Sequence, residues 1–173
     1  TVKDDVLELH ERIQAGRTLN PFVDARARFA AILRSGPLDE KQRVLSIITQ
    51  KYHREFAGLL QLALRNQDPP IRVQAAAVVA RLKENERLKV RSLMEEAAGI
   101  ADDLNEQRMD LVDKIMASVA TGLLEEQDSA GGSEAAIAIC QGILVHDPEQ
   151  IRALLRLADL RVIEKNDQEA ARL

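Results

Sequence analysis

The sequence predicts an all-α protein of stacked helix pairs, and three observations carry that expectation. Aromatic residues are scarce: Phe22, Phe29, Tyr52 and Phe56 are all there are, Trp is absent, and yet 46% of the residues are hydrophobic. A core of Leu, Ile, Val and Ala suits helix-on-helix packing better than a sheet, whose strands favour aromatic and β-branched side chains. Breakers are few, with five Pro and eight Gly in 173 residues, so long helical patterns run uninterrupted. The stretch Phe56–Leu82, FAGLLQLALRNQDPPIRVQAAAVVARL, is the third observation. Phe56, Leu59, Leu60, Ala63 and Leu64 recur at helical spacing, Asp68 suits an N-cap, and Pro69 suits the first helical position, where its missing N–H has no partner to lose. Ala75, Ala76, Ala77 and Ala80 then offer a small-residue face that a neighbouring helix can approach closely. Short corners with small residues at the contact are how solenoid helix pairs stack.

Taken in order, residues 2–15 form a first helix ended by Gly16. Asn20 caps a second, with Pro21 in its first turn and Phe22, Ala25, Phe29, Ile32 and Leu33 on its apolar side, running to Gly36. A third follows Pro37 and carries Val44, Leu45, Ile47 and Ile48. His53 opens a fourth and Pro69 a fifth, which continues through Leu82, Leu88, Val90, Leu93 and Met94 to Gly99. A sixth covers Ala101 to Glu126 with Leu104, Leu111, Ile115, Val119 and Leu123. The segment 127–132, QDSAGG, reads as a loop, after which Ser133 caps a helix bearing Ile137, Ile139, Cys140, Ile143 and Leu144. Asp147-Pro148 starts the next, with Ile151, Leu154, Leu155, Leu157, Ala158 and Val162. Asn166-Asp167 is expected to close it before a last helix from Gln168.

Composition excludes several classes. A single cysteine, Cys140, rules out an internal disulfide and fits a reducing compartment. No window approaches 18 uncharged apolar residues, and no signal-peptide pattern opens the chain. Thr1 in place of Met, and an end at Leu173 inside a helical pattern, suggest a segment of a longer protein. Residues 1–99 carry 17 Lys/Arg against 13 Asp/Glu, a net +4, and residues 100–173 carry 7 against 15, a net −8. An acidic second half speaks against nucleic acid as its partner. The acids peaking between Asp102 and Asp113 read as a solvated helix face, with a charge-steered docking surface as the sharper reading.

Little in the chain points to catalysis. His10, His53 and His146 have no metal-ligand spacing and read as surface, capping or helix-end residues. Cys140 lies in an apolar run, where a buried thiol is expected rather than a nucleophile. The pairs Asp102-Asp103 and Glu125-Glu126 read as solvated charge, and no phosphate loop, HExxH or GxSxG occurs. The basic series Arg81, Lys83, Arg87, Lys89 and Arg91 is interrupted by Glu84 and Glu86, a mixed solvated helix rather than a lipid-binding patch. No catalytic, cofactor-binding or metal-ligating residue is assigned, and the expectation is a protein that is not an enzyme.

Two repeat families are resembled. LLQLALRNQDPPIRVQAAAVVARL is similar to a HEAT repeat in its Leu-rich first helix, Asp-Pro corner, Ile71-Arg72 and Ala-rich second helix, with a weaker echo in FAAILRSGPLDEKQRVLSIIT. The resemblance implies that Asp68 and Arg72 tie neighbouring turns together. The segment AAIAICQGILVHDPEQIRALLRLADLRVIEKNDQEAARL resembles tetratricopeptide (TPR) repeats. Ala136, Cys140 and Ile143 stand at small and apolar sites, Pro148 at the closing proline, Leu154, Leu157 and Ala158 at the next first helix, and Ala170 at the small site of its partner. Arg161 departs from the Tyr that the family prefers.

HEAT-like pairs, a long connecting helix and TPR-like helices, in that order, resemble the cytoplasmic region of the PelE family, inner-membrane scaffolds of bacterial Pel exopolysaccharide synthesis. The expected architecture is thus a right-handed α-solenoid: residues 1–99 HEAT-like with the connecting helix, residues 100–173 TPR-like. The resemblance implies a noncatalytic scaffold at the cytoplasmic face of a bacterial inner membrane, with membrane spans outside this chain. It also implies protein partners: the degenerate GGDEF receptor PelD, the glycosyltransferase and the transporter. On the TPR phase, Arg152, Leu155, Asp159 and Val162 point into the binding groove, unless Leu155 and Val162 merely pack on the next repeat; an exposed TPR edge predicts self-association. Two alternatives stay open, a HEAT/TPR adaptor of another complex and an α-solenoid enzyme; the enzyme would need aromatic sugar platforms that a chain with four aromatics, all before residue 57, lacks.

Overall fold

A computed structural model describes residues 21–100 and 104–170, with side chains described at 25–100 and 104–162. Among the described residues every regular element is a helix: α1 (Pro21–Ser35), α2 (Leu38–Gln50), a 3₁₀ turn (Arg54–Phe56), α3 (Ala57–Leu64), α4 (Pro69–Gly99), α5 (Asn105–Val119), α6 (Glu126–His146) and α7 (Ile151–Ala170). The all-α expectation is met. The helix predicted over residues 2–15 and the pair Asp102-Asp103 lie outside the described residues. The chain divides into two compact units, the first up to Glu84 and the second from Asn85, so the division falls inside the long helix α4.

In the first unit, α1 packs on α2 and on α3. Ala25, Phe29 and Leu33 of α1 are buried with Val44, Leu45 and Ile48 of α2 and Leu59, Leu60 and Ala63 of α3. Phe29 and Phe56 meet with ring centroids 5.9 Å apart in a tilted arrangement, a favoured aromatic geometry. His53 caps the 3₁₀ turn, its Nδ1 accepting the Glu55 N–H at 3.3 Å. The two-proline corner forms as the sequence predicts, with the Asp68 carbonyl accepting the N–H groups of Ile71 and Arg72 at 3.1 and 3.2 Å.

The side chains at that corner reach beyond it. Lys41 of α2 is buried and donates to Asp68 Oδ2 at 2.7 Å and to Asn66 Oδ1 at 3.5 Å. Asn66, also buried, donates to the Leu33 carbonyl at the end of α1 and accepts the Asp68 N–H at 3.1 Å. Asp68 thus reaches a neighbouring helix. Arg72 stays local, donating to the carbonyls of Asn66 and Gln67 at 2.9 and 3.0 Å. The cation that ties α2 to the corner is Lys41.

The alanine face is a correction. Of Ala75, Ala76, Ala77 and Ala80 only Ala75 is buried. The buried stripe of α4 in this unit is Ile71, Ala75, Val78 and Leu82, a spacing of four, three and four that follows the 3.6-residue turn. That phase turns Val73, Ala76, Ala77 and Ala80 to solvent.

In the second unit, α5 packs on α6 and α6 on α7. The core joins Leu93 of α4 to Met109, Leu111, Val112 and Ile115 of α5, Ala136, Ile139, Cys140 and Ile143 of α6, and Ala153 and Leu160 of α7. The supposed loop QDSAGG lies inside α6, which begins at Glu126 rather than at Ser133. Gly132 is buried, and a Cβ there would stand 3.1 Å from Val119 Cγ2 and 3.5 Å from Ile115 Cγ2 and Val90 Cγ1. The glycine lets helices cross closely; it does not break one. The true break lies earlier, at 120–125, ending α5 at Val119 rather than at Glu126. Gly122 adopts φ +71°, and the Thr121 hydroxyl donates to the Ser118 carbonyl at 2.6 Å while accepting the Leu123 N–H at 3.3 Å. Such a glycine just past the last turn is a common helix stop.

The end of α7 is a further correction. The helix runs through Asn166-Asp167 to Ala170, so the turn expected there is absent and Ala170 belongs to the same helix as Leu154. Asn and Asp without Gly or Pro are weak breakers, and the surrounding Glu, Lys, Gln and Ala favour helix.

Candidate protein-binding site

Helix α7 holds all four residues singled out from the TPR phase, and its geometry sorts them into two groups. Gln150 sets its start, its side-chain oxygen accepting the Ala153 N–H at 2.7 Å and its carbonyl the Leu154 N–H at 3.1 Å. At 100° per residue, Ala153 and Leu160 fall on one side, and both are buried against the core. Ile151, Leu154, Leu155, Ala158 and Val162 fall on the opposite side. Ile151, Leu155 and Val162 are 70%, 64% and 60% exposed, and Leu154 is 46% exposed. An ordinary surface helix buries one apolar stripe and wets a polar one. Here the wet side is apolar as well, and among the described residues nothing covers it.

Arg152 and Asp159 belong to a charged row bordering that apolar side, from which Arg152 reaches α5. Arg152 donates to Glu106 Oε2 at 2.8 Å, Asp110 Oδ1 at 2.8 Å and Asp113 Oδ2 at 2.7 Å. Arg156 donates to Asp113 Oδ1 and pairs with Asp159 at 3.6 Å. The carboxylates on α5 follow the spacing 106, 110, 113 and the arginines the spacing 152, 156, so two helical rows meet edge to edge. Four carboxylates surround two guanidiniums, leaving the cluster net negative.

The electrostatics follow from this. Partial burial of Asp113 opposes ionisation, but hydrogen bonds from Arg152 and Arg156, and their charge, outweigh it and hold the carboxyl below its ordinary 3.8. The hydrogen bonds that Arg152 donates to Asp113 and then to Asp110 strengthen its hold on its proton. Burial pushes the Cys140 thiol up, away from the thiolate form. Among the described residues no three or more His, Cys, Asp or Glu are grouped to hold a metal ion, and no helix is long and apolar enough to cross a membrane.

Arg152, Leu155, Asp159 and Val162 follow one another along a single strip of α7 at three- and four-residue spacing. Leu155 and Val162 are open to solvent, whereas Arg152 is engaged with the acids of α5 and Asp159 with Arg156 of its own helix. Glu106, Asp110, Asp113 and Arg156 are not among the residues the sequence singles out; their four- and three-residue spacing is the signal for them, and part of the acidic run expected to be a solvated face binds the arginines of α7 instead. Ile151 and Leu154 are also missing from the expected exposed set, because an apolar stripe does not say which side of a helix the core takes. Comparison of the chain with family models, with curated proteins and with solved structures finds no match in any of the three.

Proposed function

We propose that the chain is a noncatalytic protein-binding scaffold whose contact surface is the outer face of α7. The observation that carries this reading is the two-sided apolar character of that helix: Ala153 and Leu160 fill the core while Ile151, Leu154, Leu155 and Val162 are presented to solvent. An apolar helix face of this kind suits an amphipathic helix or an apolar peptide, anchored by side chains at helical spacing. The clasp to α5 fixes the orientation of the face, since Arg152 and Arg156 hold α7 from one flank.

The finer reading rests on the order of HEAT-like and TPR-like segments. In it the helix pairs stack as a right-handed α-solenoid, and the chain works at the cytoplasmic face of a bacterial inner membrane within an exopolysaccharide synthesis and export complex. Its partners are then a PelD-type degenerate GGDEF receptor, the glycosyltransferase and the transporter, with membrane attachment through segments outside this chain. The Asp68–Pro69 corner, tied to α2 through Lys41, supports the HEAT-like part.

Co-purification from cells expressing the chain with those three proteins tests both levels. The expected result is recovery of at least one with the wild type and loss with Leu155→Glu/Val162→Glu. Recovery unchanged in the double variant removes the outer face of α7 as the contact surface. Recovery of none of the three with the wild type overturns the exopolysaccharide reading.

A further inference from the structure

A second surface, in the first unit and independent of α7, has its own chemistry. An open groove of about 420 Å³ lies between α1 and α3, with Ala30 and Leu62 contributing apolar surface above the buried Leu59, and Arg26, Arg34 and Arg65 lining it. Arg26, Ala30 and Arg34 are spaced four residues apart and form one row along α1, while Arg65 follows the last turn of α3. Gly58, also in the lining, would point a Cβ into space with no atom within 4 Å, so the groove is open at that point.

The charge is one-sided. Arg26 pairs with Glu55 at 3.3 Å, but both side chains are about half exposed, a setting in which ion pairs exchange readily. Arg34 and Arg65 have no carboxylate within ion-pairing distance among the described residues. Among the described residues no acidic side chain lines the groove.

We infer that this groove docks an acidic amphipathic helix of another protein, its apolar side chains over Ala30 and Leu62 and its carboxylates on Arg26, Arg34 and Arg65. An apolar surface edged by cations fits a helix with leucine-like residues at i, i+3 or i+4 and acids beside them. Guanidiniums pair carboxylates two hydrogen bonds at a time, which fixes register as well as charge. A nucleic acid matches the charge but leaves the apolar surface without a complement.

The test uses fluorescence anisotropy with a labelled helical peptide bearing leucines on one face and glutamates beside them. Two controls accompany it: a counterpart with lysine in place of glutamate, and an oligothymidylate of equal charge. The expected result is binding of the glutamate peptide alone, weakened about tenfold or more by Arg34→Glu/Arg65→Glu and weakened by salt. Gly58→Trp, whose Cβ would meet no atom within 4 Å, places a ring in the groove and is expected to abolish binding while leaving the helical circular dichroism intact. Equal binding of the lysine peptide or the oligonucleotide overturns the inference. So does binding that survives Gly58→Trp. Either failure leaves the α7 reading standing, because that surface lies in the other unit.

Discussion

In the first unit a cation joins two helices from within: Lys41 is buried between α2 and the corner, satisfied by Asp68 and Asn66. In the second unit a cation does the same from the rim: Arg152 of α7 reaches three carboxylates of α5 while about a third of its side chain stays in water. Lysine is the compact point charge that a small buried site accepts, and arginine the fork that serves several carboxylates at once. The settings differ more than the chemistry. Taking one partner from a buried pair strands a charge, whereas an exposed pair is screened and loses little. Similar contact distances therefore conceal different consequences.

The largest expected effect breaks the inner tie. Asp68→Ala leaves the buried Lys41 ammonium with Asn66 alone and should destabilise the first unit by about 2 to 3 kcal/mol, less than for a wholly buried pair because Asp68 is 43% exposed. The loss is read from urea unfolding followed by the fluorescence of Tyr52, the chain's only tyrosine. Adding Lys41→Met should recover most of that loss; a double variant no more stable than the single one would show that Lys41 is not the stranded group. Next comes the close crossing in the second unit. Gly132→Leu forces a side chain against Val119, Ile115 and Val90 and should cost about 2 kcal/mol, seen as faster thiol labelling of Cys140.

The rim clasp should give less. Asp113→Asn is expected to cost at most about 1 kcal/mol in the same labelling assay. The carboxyl of Asp113 is lowered in the folded state, so its contribution is complete above the ordinary carboxylate range and is lost as pH falls through 3.8 and below. In the Asn variant that part of the acid sensitivity should disappear. The smallest change has the opposite sign: Gly131→Ala, where a Cβ meets no atom within 4 Å, should stabilise α6 by about 0.5 kcal/mol. A loss instead would mean that α6 does not pass through Gly131 as a regular helix.

The adjacent glycines also show what the sequence could and could not convey. Caps and periodic apolar runs are local signals, and they located α1, α2, the Asp68–Pro69 corner and the whole of α4. The Gly131-Gly132 pair has the composition of a loop, yet the need to bring α6 against Val119 and Ile115 decides its conformation, and that need is not local. Gly122 after Thr121 is the legible stop, although the Gly-Ser segment that follows it has the richer loop composition. The candidate site was legible in part for the same reason. That α7 is apolar could be read from Ile151, Leu154, Leu155, Leu157, Leu160 and Val162, but which side is covered depends on the arginine row meeting the acids of α5, a contact between residues some forty positions apart.

The uncovered apolar side of α7 also makes any partner that docks there a thermodynamic ligand of the fold. Such a partner recognises the folded second unit and not its unfolded chain, so its binding adds to stability by mass action. At a hundredfold excess over its dissociation constant the gain is about 2.7 kcal/mol. The rate at which the buried thiol of Cys140 becomes reactive should then fall as partner concentration rises. Occupancy of one face of one helix can thus be titrated through a sulfur atom on the neighbouring one.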